Sequence, residues 1–263
     1  MFPGFTLFGR FISSYAIAAL AGIFTSCPFA IFTFKKRTGD GYPMLAVLLW
    51  SAIGIFVGGG LLYGFTYIDK WYLLTQGSSF EEWWANVMAV FGGSVFYGGL
   101  FGGMAVGGFA IKRRGYPTEL MTDIAAPAVA LFHGFGRIGC FLGGCCYGIE
   151  VPWGVTFTHS LNESANGVPR MPVQLFESCF EFLLFFVLWQ LLRHDRFKGR
   201  LLSLYLVLYG IFRFVIEYFR GDYYRGFVLG LSTSQFISIF TVIGGVVFFI
   251  VRTLRDRNRK EAA

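Results

Sequence analysis

The chain has 263 residues, of which 55% are hydrophobic and only 14% are charged, and its mean hydropathy is +0.60. Soluble domains carry about 25% charged residues, so this composition excludes a soluble globular protein and indicates an integral membrane protein. A net charge of +7 would suit nucleic-acid binding if the basic residues formed one patch. They lie instead in short segments between apolar runs, where they indicate membrane orientation.

Seven apolar stretches are long enough, at about 20 residues each, to cross a bilayer as helices. They cover residues 11 to 34, 43 to 67, 87 to 111, 122 to 146, 172 to 192, 201 to 220 and 232 to 252. We therefore predict an all-α integral membrane protein with about seven transmembrane helices. It would form a single polytopic domain over residues 1–263, with a basic cytoplasmic tail at 253–263.

Basic residues cluster after the first, third, fifth and seventh predicted spans. The clusters are Lys35, Lys36 and Arg37; Lys112, Arg113 and Arg114; Arg193, Arg196, Lys198 and Arg200; and Arg252, Arg255, Arg257, Arg259 and Lys260. Cytoplasmic loops carry an excess of lysine and arginine. The pattern therefore predicts an N-terminus outside and a C-terminus in the cytoplasm.

Arg137, Arg213 and Arg220 are basic residues that fall inside predicted spans. An arginine at the bilayer centre costs roughly 3 kcal/mol on insertion scales, so each one requires a partner and marks a candidate functional site. The predicted topology places all three toward the outer leaflet. Glu177, in the outer third of the fifth span, reaches the same depth.

In the sixth span, the segment YGIFRFVIEYFRGD places four polar side chains on one helical face. They are Tyr209, Arg213, Glu217 and Arg220. One glutamate cannot neutralise two arginines, so the remaining arginine and Arg137 would form a site for an anionic head group. The alternative is a structural ion-pair network of Arg137, Glu177, Arg213 and Glu217.

The stretch HGFGRIGCFLGGCCYG, residues 133 to 148, combines a histidine, an arginine, cysteines and glycines at the end of the fourth span. His133 lies one turn before Arg137 and is either a general base or a packing residue. The glycines predict that the helix breaks or is closely crossed here. Cys140, Cys145 and Cys146 are small packing residues, a redox pair or metal ligands. We expect no metal, because adjacent cysteines on a helix point in different directions.

Four segments, in order, resemble the bacterial prolipoprotein diacylglyceryl transferase family. GRIGCFLGGCCYG resembles the family signature GRxGNFxNxExxG, and SVFYGGLFGG resembles its FHGGL segment. RMPVQLFE resembles HPSQLYE, and LYGIFRFVIEYFR resembles YGxxRFxxExxR. The chain departs from the family at Cys140, Gly143 and Cys145, which replace asparagine, asparagine and glutamate, and at Tyr97, which replaces histidine.

The resemblance implies an enzyme that transfers the diacylglyceryl group of phosphatidylglycerol to the thiol of a lipobox cysteine in lipoprotein precursors. It implies a multi-pass protein of the bacterial cytoplasmic (inner) membrane that needs no metal or other cofactor. Catalytic roles would fall to Arg137, Arg213, Tyr209, Glu217 and His133. Substrate would be bound by Arg137, Arg213, Arg220, Tyr97, Gly98, Gly99, Gln174 and Glu177.

Three alternatives stay open at this point. One is a related transferase that moves a lipid group to another acceptor, and a second is a phospholipid-binding or transport protein without chemistry. The third is a thiol redox or metal protein centred on Cys140, Cys145 and Cys146. The sequence assigns no acceptor protein, acyl preference or oligomeric state.

Overall fold

Eight α-helices are the main elements of residues 2–93, 95–160, 163–221 and 227–261, which the computed structural model describes. They are α1 (Ser14–Thr38), α2 (Tyr42–Thr66), α3 (Phe80–Phe91), α4 (Phe96–Arg113), α5 (Thr118–Gly143), α6 (Val173–Arg193), α7 (Leu201–Ile216) and α8 (Thr233–Glu261). Short 3₁₀ helices cover Ile68–Thr75, Glu163–Ala165 and Glu217–Phe219.

Short strands form three separate antiparallel pairs in the same part of the chain. They are β1 (Gly4–Leu7) with β2 (Arg10–Ser13), β3 (Glu150–Thr156) with β4 (Pro169–Arg170), and β5 (Phe227–Val228) with β6 (Leu231–Ser232). None of these strands was predicted from the sequence. Five of them have four residues or fewer, which is too few for a clear alternating pattern, and β3 contains Pro152 and Gly154. β1 and β2 precede α1, and the other four lie in connections between helices.

Six helical segments of the described residues are long and apolar enough to cross a membrane. They are Ser14–Thr38, Tyr42–Thr66, Thr118–Gly143, Val173–Arg193, Leu201–Phe219 and Thr233–Asn258. Large apolar side chains on them are exposed, as Phe24 (73%) and Phe56 (81%) illustrate, and lipid chains would cover such side chains. The prediction of an all-α integral membrane protein is confirmed. The count of seven and the orientation of the termini stay predictions.

The third predicted span, 87 to 111, is divided between two helices. α3 ends at Phe91, Gly92 and Gly93 follow, and α4 begins at Phe96. α3 also begins well before residue 87, because Ser79 accepts a hydrogen bond from the backbone N–H of Glu82 and the Glu82 carboxylate accepts one from the backbone N–H of Ser78. This arrangement resembles a capping box and starts a helix ahead of the apolar run.

The chain divides into two compact units, one from residues 34–118 and one from the described parts of 1–33 and 119–263. In the first unit, α2 and α4 approach closely through glycines. A Cβ on Gly58 would lie 2.3 Å from the carbonyl oxygen of Gly98, and a Cβ on Gly54 would lie 2.3 Å from that of Gly102. Glycines four residues apart on both helices allow this backbone contact, as in small-xxx-small packing of membrane helices.

In the second unit, α5 is held at two positions by polar contacts with other elements. Near its start, Asp123 is buried and its carboxylate accepts hydrogen bonds from the backbone N–H groups of Gly199 and, at 2.9 Å, Leu201. These N–H groups precede and begin α7, so Asp123 satisfies donors that an α-helix leaves unpaired at its N-terminus. Further along, the Ser178 hydroxyl of α6 donates to the Gly134 carbonyl of α5 at 2.9 Å.

Candidate active site

Glu177 of α6 is a buried carboxylate with an arginine from each of three segments around it. Its Oε2 contacts Nε of Arg137 on α5, and its Oε1 lies 2.9 Å from Nη1 of Arg213 on α7. Nη1 of Arg220, just after the 3₁₀ helix, lies 3.8 Å from the same Oε1. Glu177 is only 1% exposed, and a charge buried to this degree requires such partners.

Arg213 connects three elements through its planar guanidinium. Nη1 donates to Glu177, and Nη2 donates to the Ser234 hydroxyl of α8 at 3.0 Å. Nη2 also forms an ion pair with Glu217 Oε2 at 2.7 Å. Glu217 Oε1 accepts a hydrogen bond from the Ser232 hydroxyl at 2.9 Å. Arg213 is buried, with 6% of its surface exposed. Because its contacts lie in different directions, the compact ammonium group of a lysine could not reproduce them.

Arg137 has a more open environment than Arg213 and Arg220. Among the residues that the structure describes, its one partner is Glu177, through Nε. Its two terminal nitrogens are therefore left to bind another group, and its side chain is 13% exposed, against 7% for Arg213 and 4% for Arg220. The predicted ion-pair network of Arg137, Glu177, Arg213 and Glu217 thus exists, and it is incomplete at Arg137.

Three guanidinium groups face the carboxylates of Glu177 and Glu217. Arg137 contacts Glu177 through Nε, so its terminal nitrogens point away from this ion pair. Terminal guanidinium nitrogens match two phosphate oxygens at once. Ion pairing and anion binding, two alternatives in the sequence, are therefore compatible: the glutamates hold the arginines in place.

His133 lies one turn from Arg137 on α5 and pairs with a buried glutamate of α6. Its Nδ1 is 2.7 Å from Glu181 Oε1, and its side chain is 26% exposed while that of Glu181 is 1% exposed. The Tyr209 ring meets the His133 ring edge-on with centroids 5.1 Å apart. A carboxylate this close to Nδ1 restricts the orientation of the imidazole. Glu181 was absent from the predicted site residues.

Three connecting segments meet at Gly148 and hold the helix ends together. The Gly148 N–H donates to the Met171 carbonyl at 3.0 Å, and the Ile149 N–H donates to the Phe219 carbonyl at 2.9 Å. A Cβ on Gly148 would lie 2.6 Å from the first of these oxygens and 2.8 Å from the second. Only glycine fits here, so the last glycine of the signature has a packing role.

Arg220 reaches Glu177 from this junction. The sequence predicted Arg220 on the same helical face as Arg213, but α7 ends at Ile216 and Arg220 follows the 3₁₀ helix.

Gln174 and Glu177 both come from the RMPVQLFE segment, but their environments differ. Gln174 is 1% exposed, and its Nε2 donates to the Cys145 carbonyl at 2.7 Å. This contact ties the start of α6 to the turn that follows α5. A direct role of Gln174 in substrate binding stays a prediction.

The three cysteines of the signature come together at the end of α5. The Sγ atoms of Cys140, Cys145 and Cys146 all lie within 4.8 Å of one another. The expectation that adjacent cysteines diverge was wrong, because α5 ends at Gly143 and neither Cys145 nor Cys146 is helical. Side-chain hydrogen bonds with the other two cysteines raise the pKa of Cys145 above its ordinary value.

The predicted contacts of α4 belong to the other compact unit. Gly98 packs on the Gly58 backbone, and Gly99 lies against Ile55. Tyr97 is in the first turn of α4, and its side chain lies outside the described part of the structure. Substrate binding by Tyr97, Gly98 and Gly99 stays a prediction.

Ser232 and Ser234 contact the cluster but were missed in the sequence. The Ser232 hydroxyl accepts from the Gln235 N–H at 3.1 Å, and the Gln235 side chain accepts from the Ser232 N–H at 3.1 Å. This reciprocal pair is a capping box, whose S-x-x-Q pattern was available in the segment STSQ. Its position beside Glu217 depends on the tertiary structure.

The chain is similar over most of its length to proteins of one family. A family model described as prolipoprotein diacylglyceryl transferase matches residues 4–251. A phosphatidylglycerol–prolipoprotein diacylglyceryl transferase of Clostridium tetani is 37% identical over 260 residues, with 98% of each chain covered. A second, from Clostridium perfringens, is 36% identical with 95% of each chain covered. One from Methylobacillus flagellatus is 34% identical over 84% of this chain and 80% of its own.

Proposed function

The chain belongs to the prolipoprotein diacylglyceryl transferase family, and on that premise we propose that it transfers the diacylglyceryl group of phosphatidylglycerol to the cysteine thiol of a lipoprotein precursor. The observation that carries the proposal is the arginine cluster around Glu177, with the terminal nitrogens of Arg137 left for a phosphate. A multi-pass architecture with six apolar helices would give a membrane-dissolved lipid access to such a site.

In the proposed reaction, the cysteine sulfur attacks the diacylglyceryl carbon that carries the phosphate oxygen. A carbon–sulfur bond forms, the carbon–oxygen bond breaks, and the electron pair leaves with glycerol phosphate. Negative charge thus increases on the phosphate as the bond breaks. Arg137 would stabilise that charge, and removing one such donor typically lowers kcat by about 10²–10³-fold. Arg213, Arg220, Glu177 and Glu217 would hold the site in its preorganised form.

The attacking thiol must lose its proton, since the thiolate is the nucleophile. Glu177 is a poor candidate for this base because three guanidinium groups surround it. His133 suits the role better, because Glu181 holds its Nδ1 and the imidazole is partly exposed. Tyr209, packed edge-on against His133, would help to orient the substrate. The proton would finally pass to the phosphate of the leaving group.

The proposal includes the location of the reaction. The basic loops predict an outside N-terminus and a cytoplasmic C-terminus, which would place the arginine cluster in the outer leaflet of the bacterial cytoplasmic membrane. Phosphatidylglycerol enters from the bilayer, and the precursor presents its lipobox cysteine at the outer face. Seven crossings would require α3 and α4 together to make the third one.

A reporter lipoprotein expressed in cells depleted of their own transferase tests the proposal. With this chain present, mass spectrometry should show the diacylglyceryl group on the lipobox cysteine. Arg137→Gln should abolish the modification, while Arg257→Gln, in the exposed tail, should retain it. An unmodified reporter in the presence of well-expressed, folded wild-type chain would refute the proposal.

A second measurement separates an enzyme from a lipid-binding protein. Purified chain, phosphatidylglycerol labelled in its head group and a lipobox peptide should together release labelled glycerol phosphate. Lipid that redistributes without release would instead indicate a carrier. Release with an unmodified peptide would indicate another acceptor.

A further inference from the structure

We propose that Cys140, Cys145 and Cys146 form a binding site for one thiophilic metal ion such as Zn²⁺ or Cu⁺. The three sulfur atoms lie within 4.8 Å of one another. In a tetrahedral zinc site with Zn–S bonds of about 2.3 Å, the sulfurs are about 3.8 Å apart. Rotamer adjustments of about 1 Å at these short side chains would therefore close the site.

The backbone brings the first two cysteines together by ending the helix in a specific way. The Cys145 N–H donates to the Cys140 carbonyl at 3.1 Å, the Gly144 N–H donates to the Phe141 carbonyl at 3.2 Å, and Gly144 has φ of +76°. These are the two hydrogen bonds and the left-handed residue of a Schellman motif. The motif places the second residue after the helix against the residue five positions earlier. Here that pair is Cys145 and Cys140.

Cys146 completes the cluster through an unusual backbone conformation. Its φ is +62°, a left-handed value for a residue that is not glycine, and such backbone conformations are strained. The strain persists because the next residues are held firmly: Tyr147 is 2% exposed, and its carbonyl accepts from the Gly221 N–H at 3.0 Å. The turn therefore presents two adjacent cysteine side chains to Cys140, a result that a continuous helix would prevent.

The donor set and its access suit a soft cation. Thiolates select Zn²⁺ and Cu⁺ over hard ions. Cys145 is exposed, and Cys140 and Cys146 are partly exposed, so an ion can reach the sulfurs. Binding would replace thiol protons, which makes the affinity rise with pH. The ion would join α5, one turn beyond Arg137, to the turn that contacts Gln174.

Metal titration of the full-length protein in detergent, reduced and then freed of reductant without air, tests the site. Zn²⁺ and Cu⁺ are added separately, excess ion is removed, and bound metal is measured by elemental analysis. We expect one equivalent per chain. Alkylation followed by mass spectrometry should then show Cys140, Cys145 and Cys146 protected, while the labelling of Cys27 and Cys179 is unchanged by metal.

Serine variants identify the ligands. Cys140→Ser, Cys145→Ser and Cys146→Ser should each weaken metal binding by more than the 10–100-fold that loss of an outer-shell contact costs. Cys27→Ser and Cys179→Ser, on α1 and α6, are the matched controls and should bind as the parent does. Thermal unfolding without metal checks that each variant is folded, and metal should raise the Tm of the parent and controls only.

Several results would overturn the proposal. They are substoichiometric binding of both ions, binding unchanged by all three serine substitutions, or protection confined to Cys27 and Cys179. An intact mass that shows loss of thiol hydrogens in the freshly isolated protein, with no metal uptake after reduction, would assign the cluster to disulfide chemistry instead.

Discussion

Replacing Arg213 by lysine separates the charge of this residue from its planar shape. The guanidinium reaches Glu177 through Nη1 and both Glu217 and Ser234 through Nη2. A lysine ammonium is a single point and cannot reach all three groups from the same position. We expect Arg213→Lys to keep one contact, which leaves the other two acceptors without this donor.

The size of the effect follows from those contacts. Hydrogen bonds to charged groups contribute about 1.5–3 kcal/mol each, and breaking a buried ion pair costs about 3–5 kcal/mol. A destabilisation of about 3–5 kcal/mol corresponds to a fall in Tm of roughly 6–20 °C, at about 2–4 °C per kcal/mol for a chain of this size. Arg137→Lys retains its charge and loses one contact, so its Tm should fall by less than half as much.

Thermal unfolding of the purified variants in detergent, followed by tryptophan fluorescence, measures the effect. Arg257→Lys is the control, because Arg257 and Glu261 form an exposed i,i+4 pair that contributes about 0.3–0.5 kcal/mol. Its Tm should stay within about 2 °C of the parent. A similarly unchanged Tm for Arg213→Lys would show that the guanidinium group of Arg213 does not hold the cluster together. A larger Tm loss for Arg137→Lys than for Arg213→Lys would contradict the assignment of Arg137 to substrate binding.

Gly148→Ala should lower both Tm and activity, because the new Cβ would lie 2.6 Å from a backbone oxygen. Gly143→Ala is the control, because a Cβ there meets nothing within 4 Å. Equal Tm and activity in the two variants would contradict the packing role of Gly148. Asp123→Asn should lower Tm by several degrees, because one carboxylate oxygen that accepts a backbone N–H becomes a donor; an unchanged Tm would remove its role at the start of α7. Glu181→Gln removes the carboxylate that orients His133, so kcat should fall while the KM for phosphatidylglycerol stays close to that of the parent; an unchanged kcat would contradict the role of Glu181 in positioning the base.

The sequence predicted the residues of the charged cluster because of an energetic rule. Arg137, Arg213 and Arg220 stand out in apolar segments, where a charge requires a partner, and Glu177 and Glu217 are the nearest acids in the same segments. The sequence was less informative about which arginine contacts which glutamate. Helical spacing predicts the Arg213 to Glu217 contact, which the structure has at 2.7 Å, but the meeting of three arginines at one glutamate depends on the packing of separate helices.

The connections between helices were the least predictable part of the fold. β3 and β4 and the junction at Gly148 consist of a few residues each, and their hydrogen bonds join positions far apart in the chain. No local periodicity signals such pairing. The division of the third span had a local signal, the adjacent Gly92 and Gly93, but the apolar composition on both sides concealed it.

The cysteines show how a local motif alters the chemistry at a signature position. The family pattern has a glutamate where this chain has Cys145, a loss of one negative charge close to Arg137. Three thiolates with one Zn²⁺ carry one net negative charge, so a metal-bound cluster would restore the charge of the missing glutamate at that position. With Cu⁺ the net charge of the cluster would be more negative by one elementary charge than with Zn²⁺. Thiols without metal would leave it neutral. The charge beside Arg137, and with it the attraction for a phosphate, would then depend on metal occupancy.

Measuring the affinity for phosphatidylglycerol with and without Zn²⁺ tests this dependence. We expect weaker binding of the anionic lipid in the metal-loaded protein and no difference in Cys145→Ser. Equal affinities in the parent protein would show that the cluster and the arginine site act independently.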